Sequence, residues 1–184
     1  NHCPGACLAL FEFRTGRRVL HTGDFRYDAS FQNDVNYAPL QALVVKGCES
    51  IYLDTTYCHP RHASIPGRKA VLQELGHDVE MLARSDAENG ARTLQLIATY
   101  TIGKERVMEE VAQRAGQKVI VDERRHELLR IAGRDMDFYT RDGSASSVRA
   151  VKWGTLGETW PYFRPNFAAP AELARELGFT RVVR

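Results

Sequence analysis

Three side chains in the first third of the chain, His2, Asp24 and Asp54, are of the types that bind metals or move protons. Imidazole nitrogen and carboxylate oxygen are both good zinc ligands, and a carboxylate placed between two cations can bridge them. His2 precedes Cys3-Pro4-Gly5, a turn entering an alternating apolar run, while Asp24 follows Thr22-Gly23, where glycine releases the backbone. Asp54 leaves a short apolar run, Ser50-Ile51-Tyr52-Leu53. Two ligands do not make a site: one His and one Asp at this separation are more often an N-terminal polar residue and a turn residue. Cys3 and Cys7 invite a thiolate reading, but Cys3 beside Pro4 and Cys7 inside an alternating run fit small core residues better. The four cysteines form no C-x-x-C pair, which suits a reducing compartment.

A second candidate is Gly103-Lys104, which can present backbone N–H groups and an ammonium to phosphate at a helix start. It is no Walker loop, because the G-x-x-x-x-G-K-[ST] spacing is absent, so ATP binding has no support. The bland alternative is that Lys104 and Glu105 are a solvent-facing pair in a first helical turn. His59, Arg61 and His62 follow Asp54 and could flank a substrate groove, although a solvated loop accounts for them better.

The frame for these groups is α/β. Residues 6–13 alternate as a half-buried strand does, Thr15-Gly16 supplies a turn, and residues 18–21 return, which predicts a hairpin. Strand ends are common seats for catalytic side chains in layered folds, and both Asp24 and Asp54 occupy such ends. Residues 27–50 read as irregular up to the run at Ser50, and 58–67 as loop. Apolar spacing predicts a helix over 68–84 with Gly76 as a weak point, then a polar connector over 85–92. A strand over 93–99, a helix closed by Gly116, a strand over 118–121 and a helix over 122–131 capped by Asp122 follow. That βαβα rhythm implies a parallel sheet, with 93–99 and 118–121 expected as parallel neighbours. Further strands are expected near 148–153 and 180–184, a Pro-rich aromatic loop over 159–170, and a helix over 171–177.

Composition narrows the class without deciding the function. A chain of 184 residues with 43% hydrophobic and 26% charged residues can bury one core or two small ones. The net charge of +2 is too small to argue nucleic-acid binding from bulk charge, so phosphate contacts must come from placement. No apolar run approaches the roughly 18 residues of a membrane helix. The opening NHCPGACLAL has no initiator Met, and a piece of a longer protein is expected.

Four strings in order carry a resemblance: His2-Cys3-Pro4-Gly5-Ala6, Leu20-His21-Thr22-Gly23-Asp24-Phe25-Arg26, Leu53-Asp54-Thr55-Thr56-Tyr57-Cys58 and Thr99-Tyr100-Thr101-Ile102-Gly103-Lys104-Glu105. Together they closely resemble the Artemis and Apollo type DNA-repair nucleases, the nucleic-acid branch of the metallo-β-lactamase fold with a β-CASP insertion. The resemblance implies a partial αββα sandwich over 1–57 and most of a β-CASP α/β lobe over 58–184. It makes His2 and Asp24 zinc ligands, with Asp24 catalytic and usually bridging two metals. Asp54 matches the first acidic β-CASP motif, a catalytic carboxylate that orients a metal-site His or helps proton transfer, and His21 becomes a packed or supporting imidazole. Lys104 becomes a DNA-binding candidate.

The same resemblance implies metal-dependent hydrolysis of DNA at 5′ ends, hairpins or overhangs, in interstrand-crosslink repair or double-strand-break end joining, in the nucleus. Residues 160–167 look similar to plant proteins in which such a nuclease is fused to a DNA ligase. The family's H-x-H-x-D-H cluster and its E-H-S-S-type motif are absent, so the two-metal site is incomplete and the chain alone is expected to be inactive. Two alternatives stand beside this: a non-catalytic β-CASP module that binds DNA or a partner, and the RNA-processing branch, against which the DTTYC and TIGKE strings weigh.

Overall fold

The computed structural model describes residues 3–25, 27, 35–158 and 162–184, so His2 lies outside the described residues. The chain divides into two compact units, Asn1–Ile65 and Pro66–Arg184.

In the first unit β1 (Ala9–Glu12) and β2 (Arg18–His21) form the expected antiparallel hairpin, with Ala9 opposite His21. Its turn closes through Gly16 N–H to Phe13 O at 2.9 Å, with Gly16 at φ +83°, a region open to glycine. β3 (Ser50–Tyr52) runs parallel to β2 on its other edge. Residues 27–50 are not wholly irregular, because α1 spans Ala38–Lys46. Pro39 sits in its first turn and Gly47, at φ +76°, closes it by donating to Leu43 O. Leu40, Leu43 and Val44 have helical spacing, a signal too short to separate from loop. Cys7 is exposed and Cys3 half-buried, which corrects their reading as core residues; all four cysteines are free.

The second unit is a doubly covered parallel sheet. Its elements are α2 (Arg68–Asn89), β4 (Thr93–Thr99), α3 (Glu105–Ala115), β5 (Val119–Ile120), α4 (Glu123–Ile131), β6 (Tyr139–Thr140), β7 (Val148–Lys152), α5 (Trp153–Leu156), β8 (Gly157–Glu158), β9 (Arg164–Pro165), α6 (Ala168–Glu176) and β10 (Arg181–Val183). Five strands pair in the order β10-β4-β7-β5-β6, every pair parallel, and β8 and β9 make a separate antiparallel ribbon. Leu94, Leu96 and Ala98 point to one face, where they pack with Val151, Leu156 and Ala174. Val119 and Val148 join Val79, Met108, Val111 and Tyr139 on the other. Burial on both sides explains why β4 reads as nearly continuous apolar sequence.

The expected parallel pairing of 93–99 with 118–121 does not form. β4 and β5 share a parallel sheet but are not neighbours, because β7 lies between them: Gln95–Thr99 pair with Val148–Lys152, and Ile120 pairs with Arg149. The long strands β4 and β7 form the longest ladder, whereas two-residue β5 has few backbone groups to offer β4.

Helix α2 also runs further than its apolar spacing suggests. The polar stretch after residue 84 caps the helix instead of connecting: Asn89 donates to Ser85 O at 2.8 Å, and the Asp86 carboxylate accepts from Thr93 N–H and its hydroxyl at 2.9 and 2.8 Å. Gly76 lets α2 approach α3, since a Cβ there would stand 2.8 Å from Glu110 Oε1. Asp122 caps α4 as expected, accepting from Arg125 N–H at 2.8 Å. No helix among the described residues is long and apolar enough to cross a membrane.

Candidate functional site

The sheet of the first unit brings Asp24 and Asp54 to one edge. β2 and β3 are parallel neighbours, so their C-terminal ends lie side by side, and the ladder continues by one bond, Thr22 N–H to Tyr52 O at 3.0 Å. Thr22 is buried, and its hydroxyl does two jobs: it donates to Gly23 O at 2.9 Å and accepts from Asp54 N–H at 3.1 Å. The Asp54 carboxylate then reaches back, with Oδ2 accepting from Phe25 N–H at 3.3 Å. Its other oxygen accepts from Thr56 N–H and Thr56 Oγ1 at 2.9 and 2.6 Å. Asp54 is therefore tied to the peptide that directly follows Asp24.

His21 contributes in the same place. Its Nδ1 accepts from Gly23 N–H at 3.0 Å, and its ring stacks on Tyr52 at 5.8 Å between centroids and 12° between planes. It is an exposed imidazole that shapes the turn into Asp24. Asp24 itself is exposed and lines a hollow of ≈ 200 Å³ together with Cys7, Thr22 and Phe25.

This edge offers a cation oxygen donors. Asp24 fits the role of a ligand, since it is an exposed acidic residue at a strand end. Asp54, with both oxygens already accepting hydrogen bonds, fits a positioning role better. Among the described residues no three His, Cys, Asp or Glu side chains lie close enough together to hold a metal, so these residues do not by themselves build a zinc centre. His59, Arg61 and His62 fold into a 3-10 turn, with Arg61 N–H donating to His59 Nδ1 at 3.2 Å and Arg61 Nε donating to His62 at 2.9 Å; all but half-buried His62 are exposed.

Lys104 occupies the turn between β4 and α3 in the second unit. It has φ +63°, the only positive φ outside glycine among the described residues, a conformation that costs on the order of 1–3 kcal/mol. Lys104 and Glu105 are not a solvent-facing pair. Glu105 is buried and accepts from Gly103 N–H at 2.6 Å, closing the helix start. The Lys104 ammonium donates to Ala98 O at 2.9 Å and lies 4.5 Å from the centroid of the Trp153 ring. Burial holds its pKa below the ordinary lysine value.

Trp153, Tyr100 and Arg125 around that turn escape sequence reasoning. Tyr100 is named only inside a motif string, and no spacing links it to Trp153 or to Arg125. Only the order of the parallel strands brings them together.

A strand-end carboxylate pair on one small sheet and a cation-bearing turn on a parallel sheet mark two polar edges of an α/β protein. Its sequence relatives narrow that class. No family model matches the chain. DNA ligase 6 of Arabidopsis thaliana is 37% identical over 188 residues, covering 100% of the chain and 13% of that protein. DNA cross-link repair 1A protein of Gallus gallus is 32% identical over 169 residues, 91% of the chain and 15% of that protein. 5′ exonuclease Apollo of Gallus gallus is 32% identical over 173 residues, 91% of the chain and 34% of that protein. The chain thus spans between 13% and 34% of these relatives. It belongs to the family of Apollo and DNA cross-link repair proteins.

Proposed function

We propose that the whole protein is a zinc-dependent DNA-repair nuclease, to which this chain contributes one ligand-bearing edge of a metallo-β-lactamase sandwich and most of a β-CASP lobe. The observation that supports this reading best is the meeting of Asp24 and Asp54 through the Phe25 N–H in a member of this family. In it, Asp24 gives an oxygen donor and His2, on its sequence motif, a nitrogen donor. Asp54 holds the loop that carries Asp24 and stands beside the site as a fixed carboxylate able to orient a ligand imidazole. Zinc, when bound, supplies Lewis acidity for phosphodiester hydrolysis. The remaining ligands come from outside the described residues.

DNA is the proposed substrate, at 5′ ends, hairpins or overhangs, in crosslink repair or end joining in the nucleus. The similarity to DNA ligase 6 supports a ligase-fused arrangement. A non-catalytic module that binds DNA or a partner is the competing reading, favoured by the lack of a three-residue metal group among the described residues.

The test uses the whole protein with Asp24→Asn and 5′-labelled DNA. Cleavage should be lost while the far-ultraviolet circular dichroism and unfolding midpoint stay near wild type, because the amide keeps the shape and removes the charge that holds a cation. The isolated 184-residue chain with added zinc should cleave nothing. Full activity in Asp24→Asn, or no activity in the whole protein, would overturn the proposal, and a preference for RNA would move it to the RNA-processing branch.

A further inference from the structure

The C-terminal edge of the parallel sheet carries three aromatic rings in a row. Tyr100 follows β4 and Trp153 follows β7, the adjacent strands from which the chain leaves in opposite directions, through α3 toward β5 and through α6 toward β10. In open parallel sheets such a switch point is where ligands sit. Tyr100 and Trp153 stack at 5.9 Å and 8°, and Phe163 tilts against Trp153 at 5.9 Å and 57°. The two outer rings of the row are open to solvent, Tyr100 62% and Phe163 50% exposed.

Cations interleave with the rings. Lys104 lies over the Trp153 ring, and the Arg164 guanidinium lies 5.1 Å from the centroid of the exposed Tyr162 ring, donating to its hydroxyl at 3.4 Å. Among the described residues neither is in an ion pair, whereas Arg114, Arg130 and Arg141 each are. Rigidity comes from Arg125, 6% exposed, which donates to Tyr100 O at 2.9 Å. At the same edge Thr99 Oγ1, Trp153 Nε1 and Arg125 Nε are buried without a partner.

The shape selects the ligand. The hollow beside the α3 start, lined by Gly103, Glu105 and Arg125, has only ≈ 10 Å³, room for about one water, so no compact molecule enters there. Exposed π faces alternating with unpaired cations suit an extended polyanion that carries its own aromatic faces. A duplex keeps its bases stacked on each other, and only an unpaired strand has faces to give.

We infer that this edge binds an unpaired stretch of nucleic acid, with bases stacked on the outer faces of Tyr100 and Phe163 and phosphates at Lys104 and Arg164. The inference deepens the nuclease reading and rests on it for the choice of DNA. Binding here needs no catalytic centre, so each can fail without the other.

The experiment is fluorescence anisotropy of the 184-residue chain with a labelled oligothymidine of roughly 12 nucleotides at low salt, competed with unlabelled duplex and with oligouridine. Tyr100→Ala and Phe163→Ala should each weaken binding about 5- to 150-fold, the range for a lost base–aromatic stack, while Tyr100→Phe stays within about twofold. Lys104→Ala should reduce the slope of log affinity against log salt by about 0.7. Tighter oligouridine binding would support the edge and assign it RNA. Absence of binding by the folded chain, unchanged affinity in folded Tyr100→Ala, or equal competition by duplex would overturn the inference, and none of these bears on cleavage by the whole protein.

Discussion

Replacing Asp54 separates a positioning carboxylate from a decorative one. Among the described residues its side chain accepts hydrogen bonds from Phe25 N–H at 3.3 Å, Thr56 N–H at 2.9 Å and Thr56 Oγ1 at 2.6 Å. Thr56 is exposed, so water can replace both of its bonds. The Phe25 bond is part-buried and charge-assisted, which sets the cost. Such bonds contribute about 1.5–3 kcal/mol, and the long distance and partial exposure bring Asp54→Ala to about 1–2 kcal/mol. Asp54→Asn keeps an oxygen for Thr56 but turns an NH2 toward the Phe25 donor, so its cost is about 1 kcal/mol despite equal size. Native-state hydrogen exchange localises the effect. The Phe25 amide should exchange about 5- to 30-fold faster in Asp54→Ala, while the amides of β4 in the other unit stay unchanged. Unchanged protection of Phe25 in Asp54→Ala, or wild-type behaviour in Asp54→Asn, would refute the argument that Asp54 clamps the Asp24 loop.

Two further outcomes follow from the second unit. Tyr139 is buried, and burial first, with the Glu109 charge and hydrogen bond behind it, raises its pKa far above the ordinary value of about 10. A raised pKa means the stabilisation is complete below the unfolded value and is lost as pH climbs from there, so denaturant melts from about pH 9 to 11 should fall more steeply for wild type than for Tyr139→Phe; parallel pH profiles would contradict this. A Cβ at Gly157 would lie 2.3 Å from Arg164 O and 2.8 Å from the Phe163 ring, so Gly157→Ala should prise β8 from β9 at a cost of about 1–3 kcal/mol in thermal melts; an unshifted melt would show that the ribbon is not closed.

Local signals in the chain predicted local structure. The hairpin through Gly16, the strand over 93–99 and the Asp122 cap each rest on a few adjacent residues, and each stands in the structure. Helix α1 is not legible in the sequence because its apolar positions Leu40, Leu43 and Val44 span little more than one turn, too short a run to tell a helix from a loop. The placement of β7 between β4 and β5 was illegible for another reason: strand order is decided by competition among ladders far apart in sequence. At the first edge, Asp24 and Asp54 could be located at strand ends from a Gly and a β run. That one carboxylate grips the peptide beside the other depends on β2 and β3 being parallel neighbours. Lys104 was identified as a cation at a helix start, but its backbone conformation and its seat over Trp153 depend on where β7 ends.

The central claim is that Asp24 is a ligand of a catalytic zinc and that Asp54 stands behind it. Anomalous scattering at the zinc edge, from crystals of the whole protein, tests this directly. The account predicts a metal at about 2.0–2.2 Å from an Asp24 carboxylate oxygen, with Asp54 outside the coordination sphere and still bonded to Phe25 N–H. A zinc bound elsewhere, with Asp24 facing only water, would contradict it.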